Sequence, residues 1–315
     1  MKLFQDTDDL QEFLPVNQGF TLENMQDDLE DSFTRFIVSR VGLEQIAASR
    51  DETDDVHKEL IRLIKRANAN LGFMLHFAQA KVTVSNSGVT YAGKQEDNKQ
   101  ASEADKQDLY KAIRAKGFQA LEDMLIHLSK NFEVFTHWAT SDGYADFNSL
   151  LIRTAKEFKL IKGSYLIFLE MYEYIEAVEI EVIQPQVNSD VLSSVKTALK
   201  DATLNLIQSQ LLNQYLRPTI AYLAMARAVS ANAIARNSSG ALTIYDDNTY
   251  EKASVTLEKN NRWHADLLEA GNNRLSLMTA FIAKNMGEFG FLVSDETVSD
   301  FKPFRNDEKW GTCFF

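Results

Sequence analysis

Glu170, Glu173, Glu176 and Glu179 recur every three residues, with Glu181 just beyond. Carboxylates repeated near the helical pitch gather on one side of a helix, where they could ligate a divalent cation. Helical sites of that kind usually combine such rows with Glu-x-x-His motifs on facing helices, and the chain has none. The row is therefore expected to be a solvated helix face. The five histidines (His57, His76, His127, His137 and His264) form no His-Glu-x-x-His pair, and His127 and His137 are expected on different elements. They read as surface or packed side chains rather than zinc ligands. Cys313 is the single cysteine, which excludes an intrachain disulfide and a cysteine metal site and fits a reducing compartment. It stands two residues from the last position, a poor place for a nucleophile that needs a preorganised base. No Gly-x-Gly-x-x-Gly, Gly-Lys-Ser/Thr or Gly-x-Ser-x-Gly run occurs. The expectation is a protein that is not an enzyme, with no catalytic residue, no cofactor and no metal.

The composition points to what must position such residues. The 315 residues are 45% hydrophobic with a mean hydropathy of −0.26, and only 4 are Pro and 13 Gly. That balance is too poor in turn formers for a sandwich of short strands and suits packed helices. The length allows two cores of ordinary size. Net charge is −12, and residues 1–59 hold 15 Asp/Glu against 5 Lys/Arg, so most of the surplus lies at the N-terminal end. No dense basic run offers a general nucleic-acid face. The most apolar window, Tyr165–Ile183, is interrupted by the glutamate row, so no membrane span is expected. Met1 to Asp6 opens no apolar run of signal-peptide length.

One half of the chain resembles the other. Leu71-Gly72-Phe73, Val82-Thr83-Val84 and Ser85-Asn86-Ser87-Gly88 align with Leu223-Ala224-Met225, Ile234-Ala235-Arg236 and Asn237-Ser238-Ser239-Gly240 at a constant offset of 152. Leu121, Met124, Lys130-Asn131 and Phe135 then meet Leu275, Met278, Lys284-Asn285 and Phe289 at 154. Upstream, Leu22, Leu29 and Ile37 align with Leu192, Leu199 and Ile207 at 170. A period of half the chain predicts two tandem, diverged helical modules, each with a small β-hairpin, in a mainly α protein. The modules are drawn at 1–187 (acidic, with extra helices over 145–184) and 188–315 (with an aromatic tail), separated at Pro185, since helices usually end before a Pro.

Apolar spacing predicts helices over 22–48, from Asp54-Asp55 to Ala78, and from a capping-box-like Ser102-Glu103-Ala104-Asp105 start to about Asn131. Leu109, Ile113, Phe118, Leu121, Leu125 and Leu128 form the expected buried face of the last of these. Shorter helices are expected near 145–160 and 164–184, then at 189–212, 215–233 and 250–285. Hairpins are expected at Val82–Tyr91 and around Ala241–Tyr245, turning on Asn and Gly that tolerate positive φ. The candidate subunit contacts are the hairpin tips Asn86, Ser87, Gly88, Ser239 and Gly240, and the tail aromatics Trp310, Phe314 and Phe315, whose exposure would leave a sticky patch.

The N-terminal text, Met1-Lys2-Leu3-Phe4-Gln5-Asp6 with Asp9-Leu10 and Leu14-Pro15-Val16-Asn17, resembles the opening of a protein family encoded in phages and prophages of Bacteroidota. The Gly42-Leu43 helix end, the Leu63–Ala78 helix, the Val82–Gly88 turn and the Asp105–Leu128 helix follow that family's order. Its helical pattern is similar to head-to-tail connector (adaptor) proteins. The resemblance implies a noncatalytic virion structural protein, a ring subunit at the portal–tail junction, made in the bacterial host cytoplasm and found in the virion neck. Its partners would be its own copies in a ring, plus portal and tail or neck proteins. DNA would pass nearby without sequence-specific binding, repelled by the acidic N-terminal segment. The alternative reading is a cytoplasmic helical protein-binding or scaffolding module.

Overall fold

The computed structural model describes residues 3–14, 20–79, 82–85, 88–91, 102–141, 144, 146–231, 233–236, 242–244 and 257–289. The chain is mainly α-helical. A short strap carries α1 (Thr7–Gln11), which buries Leu10 and is capped by the Asp6 side chain on the Asp9 amide. Then come α2 (Gln26–Ser32), a π-helical turn (Phe33–Val38) and α3 (Ser39–Val41). The helix expected over 22–48 is thus one rod only as far as Val41. Gly42 adopts φ +83°, a conformation that an L side chain resists, and redirects the chain into α4 (Leu43–Asp51).

The long helix α5 (Asp55–Gln79) leads into β1 (Val82–Ser85) and β2 (Gly88–Tyr91), which pair antiparallel with Val82 opposite Tyr91. The 28-residue α6 (Glu103–Lys130) starts at a full capping box, Ser102 with Asp105. Helices α5 and α6 lie against each other. Ile113, Leu121, Leu125 and Leu128 are buried on α6, but Leu109 is 42% exposed. At that level α6 meets α5 through Tyr110, whose ring centre lies 6.0 Å from that of Phe77, so Leu109 points elsewhere.

After α6, α7 (Thr136–Ala139) docks Trp138 back onto the first helices: its Nε1 donates to the Arg40 carbonyl and its backbone N to Gln45 Oε1, both at 3.0 Å. Residues 146–161 hold two 3₁₀ turns, Asp146–Ser149 and Lys159–Ile161, not the helix expected near 145–160. Side-chain carboxylates explain this. Glu179 accepts from the Leu151 amide, and Glu157 from the amides of Arg153 and Thr154, so donors that a helix would use are engaged sideways.

The chain continues through α8 (Tyr165–Glu170), α9 (Tyr172–Val178), a second π turn (Glu179–Ile183) and α10 (Gln184–Gln186). Pro185 does not end the helix. The Gln184 amide bonds five residues back to Glu179, and Val187 still bonds to Ile183. A widened turn moves the carbonyls that a Pro ring would otherwise strike. Pro218 follows a third π turn (Leu211–Leu216) in the same way, with the Arg217 amide bonded to Leu212.

The helices expected at 189–212 and 215–233 divide elsewhere. α11 (Ser189–Lys200) stops at residues 201–205, where Ala202 has φ +54°, and Asn205 with Gln208 caps a new start. From there α12 (Leu206–Gln210), the π turn and α13 (Arg217–Ser230) are one continuous helix. β3 (Ile234–Arg236) and β4 (Leu242–Ile244) pair antiparallel, and α14 (Leu257–Lys284), again 28 residues, packs along α13. Among the described residues no helix is long and apolar enough to cross a membrane.

Candidate functional site

The glutamate row does not act as a unit. Glu170 reaches Arg40 at 3.4 Å, Glu176 accepts from the Tyr172 hydroxyl at 3.1 Å, and Glu181 pairs with Arg227 at 2.6 Å. Glu179 departs from the expected solvated face: it is 1% exposed. The π turn rotates it inward, where Oε1 accepts from the Leu151 amide at 2.6 Å and Oε2 lies 2.8 Å from Lys196 Nζ. Burial pushes the Glu179 carboxyl above the usual range, against the pull of Lys196 and the Leu151 amide.

Three of the histidines, His57, His76 and His127, make internal contacts. His57 Nδ1 lies 2.5 Å from Asp54 Oδ2, and its ring meets Phe135 edge-on. His76 pairs with Asp28 at 3.0 Å, and His127 Nε2 contacts the Val56 carbonyl oxygen at 2.9 Å. His137 stands 3.8 Å from Glu44. Among the described residues no three His, Cys, Asp or Glu side chains converge as a cation site would require. Gly88, of the candidate contacts, opens β2 opposite Ser85. Asn86, Ser87, Ser239, Gly240, Trp310, Phe314 and Phe315 lie outside the described residues, as does Cys313.

The most organised polar geometry lies on two straps that sequence reasoning passed over. In the first, residues 3–14, the Gln5 amide donates to Asp9 Oδ2 at 3.2 Å, and Asp9 receives Lys65 of α5 at 2.7 and 2.8 Å. In the second, residues 151–162, the Arg153 amide donates to Glu157 Oε2 at 2.6 Å, and Glu157 Oε1 receives Arg217 of α13 at 2.6 Å. Leu3, Phe4 and Leu10 are buried in one; Leu151, Ile152 and Phe158 are buried in the other. Arg217 also donates to the Leu151 carbonyl at 2.9 Å and to Asn213 at 2.7 Å. Burial lowers its pKa, and Glu157 opposes the shift. Only Leu3 and Leu151 are identical among these pairs, so the signal was an apolar pattern with one carboxylate, too thin to stand out.

Each strap borders an open groove. One, of about 540 Å³, lies between the first strap, α4 and the start of α5, with Phe4, Arg50, Glu52, Lys58 and Lys65 on its walls. The other, of about 480 Å³, lies between the second strap, α13 and α14, and is lined by Lys156, Lys159, Asn213, Arg217, Tyr222 and Arg274. The Arg274 guanidinium rests 4.8 Å from the centre of the Tyr222 ring.

Two further contacts recur. A Cβ on Gly117 would come within 2.7 Å of Leu71 Cδ2, and one on Gly271 within 2.5 Å of Leu223 Cδ2. At the helix ends, Asn131 Nδ2 donates to the His127 carbonyl at 2.9 Å and Asn285 Nδ2 to the Phe281 carbonyl at 2.8 Å. A family of unknown function (DUF6712) matches residues 30–148 and again 181–290. The chain belongs to this family. Each DUF6712 segment contains one long helix, one two-stranded ladder and one 28-residue helix. No curated protein and no solved structure matches the chain.

Proposed function

We propose that the chain is a noncatalytic assembly subunit built from two tandem copies of one helical unit, residues 3–131 and 151–285. The observation that carries this reading is the recurrence of unlike details in the same order. Each unit has a carboxylate-pinned strap, a helix running into a π turn, a Gly-against-Leu crossing and an Asn-capped helix end. The second unit then begins near Leu151 rather than at 188, which keeps α9 and α10 with α13, against which α9 packs. Met25, Leu29, Ile37 and Val41 correspond to Met171, Ile175, Ile183 and Val187, all buried, at an offset of 146. This replaces the upstream offset of 170, which pairs Leu29 with the half-buried Leu199. The offset grows downstream because α11 has 12 residues against 9 in α4, and residues 201–205 replace a shorter connection. The π turn at Leu211–Leu216 adds one more residue.

A duplicated chain offers twice as many pseudo-equivalent edges as subunits, which suits a closed ring. The resemblance to head-to-tail connectors supplies the setting: a portal–tail ring in a virion neck, with the portal and neck proteins as neighbours. The test is native mass spectrometry of the full chain together with a mass-spectrometric search for it in assembled particles. A closed oligomer, found in particles at fixed copy number, is the expected result. A stable monomer or dimer that is absent from particles would sink the ring and favour the cytoplasmic scaffolding reading.

A further inference from the structure

The two straps occupy corresponding places but carry opposite charge. Residues 3–12 hold Asp6, Asp8, Asp9 and Glu12 and no cation, whereas residues 151–162 hold Arg153, Lys156, Lys159 and Lys162 against Glu157 alone. Inward positions keep their role, since Asp9 and Glu157 each pin a strap to its long helix. The inversion is direct at one outward position, where Asp8 corresponds to Lys156 at an offset of 148; both are exposed, as are the neighbouring strap charges Glu12 and Lys159. Among the described residues none of these four forms an ion pair within the chain. The exposed lysines stand on the rim of the 480 Å³ groove, whose wall adds Arg274 and the mutually paired Arg217 and Glu157. In a chain of net charge −12, whose first 59 residues hold 15 acids against 5 bases, this is a local cationic surface.

We propose that the groove beside the second strap is the docking site for the acidic first strap of another copy of this chain. Charge complementarity chooses the occupant. Like straps would repel if the first units of two copies met, or the second units. The first unit of one copy against the second unit of the next is attractive and leaves one unmatched strap of each sign, so contacts propagate head to tail until a ring closes. The inference rests on the self-assembly reading above and adds to it the polarity and the residues of the contact.

The test is a charge swap in the full chain, read by native mass spectrometry and sedimentation. Asp8→Lys/Glu12→Lys reverses the first strap, and Lys156→Glu/Lys159→Glu reverses the groove rim. All four sites are exposed, so circular dichroism and the thermal midpoint should match wild type and exclude misfolding as a cause. Each variant alone should lose assembly, with the concentration for half-assembly raised by about tenfold or more, as close interfacial charge pairs permit. Wild-type assembly should weaken in high salt. Mixing the two variants should restore assembly, because each then presents the complement the other lacks, and so should all four substitutions in one chain. Unchanged assembly of both variants would overturn this contact while leaving the ring intact. Failure of the mixture to assemble would also overturn it. Loss of particle binding by the groove variant with self-assembly intact would assign the groove to a different protein and overturn the proposal. A wild-type chain that never self-associates would overturn the assembly reading itself.

Discussion

Glu179 links local geometry to a measurable property. Its carboxyl is buried, held by one amide and one partly solvated ammonium, and its pKa lies above the ordinary 4.5. The folded state therefore holds this proton more tightly than the unfolded chain. Its contribution to stability is fully present below about pH 4.5 and is lost as pH rises through the folded pKa. Denaturant titrations across that range should show the stability of wild type falling relative to Glu179→Gln, which cannot titrate; parallel pH profiles would contradict the assignment. Lys196→Met should cost up to about 3 kcal/mol at neutral pH, since it leaves a buried carboxylate without its counter-ion. Adding Glu179→Gln to it should recover most of that loss. Trp138 is the other residue on which much depends. Trp138→Ala should destabilise by about 3–5 kcal/mol, because it removes a fully buried ring and leaves the Arg40 carbonyl without its indole donor.

At the scale of elements, the two long-helix crossings depend on glycine. A methyl at Gly117 or Gly271 would sit less than 3 Å from the Leu71 or Leu223 side chain, inside the closest approach of packed carbons. Gly117→Ala and Gly271→Ala should each lower stability by about 1–3 kcal/mol through overpacking. Pairing each with Leu71→Ala or Leu223→Ala should yield less than the sum of the single losses, since the clash is removed in the double variant. Additive losses in a thermal or denaturant series would contradict a direct contact. The straps behave as separable clasps. Arg217→Met should release residues 151–158 from α13, so hydrogen exchange at the Leu151, Arg153 and Thr154 amides should accelerate while α5 and α6 stay protected.

For the whole molecule, the proposed repeat ties together features that look arbitrary alone. Gly72 lies under Leu29 and Gly117 under Leu71 in the first unit, and Gly271 lies under Leu223 in the second. Three layers thus pack at close range: the π-turn helix, the long helix and the 28-residue helix. In the proposed duplication the buried contacts recur while the exposed strap charges differ. High salt should therefore weaken association between chains without much change in the unfolding midpoint of each. A midpoint that moved as steeply as the association would place the charge effect inside the fold.

Much of this was legible in the residues. The capping box at Ser102, the reach of α5 and α6 and both ladders follow from local chemistry: caps, turn formers and apolar spacing act over a few residues and leave their mark in order. The upstream register was not legible, because one-residue π turns and a longer α11 shift the alignment without changing the local pattern. Pro185 read as a helix end because its penalty is local, whereas the π turn that absorbs it is set by packing. Glu179 read as solvated because spacing along a helix says nothing of what lies opposite. The segment 145–160 read as helix from its apolar spacing but is not one, because its amides bond to carboxylates, one of them distant in sequence. The amino-acid sequence by itself determined a mainly helical, acidic chain. Only the tertiary structure decided which carboxylates are buried and that residues 3–14 and 151–162 are each pinned to a long helix, since both depend on contacts between residues far apart along the chain.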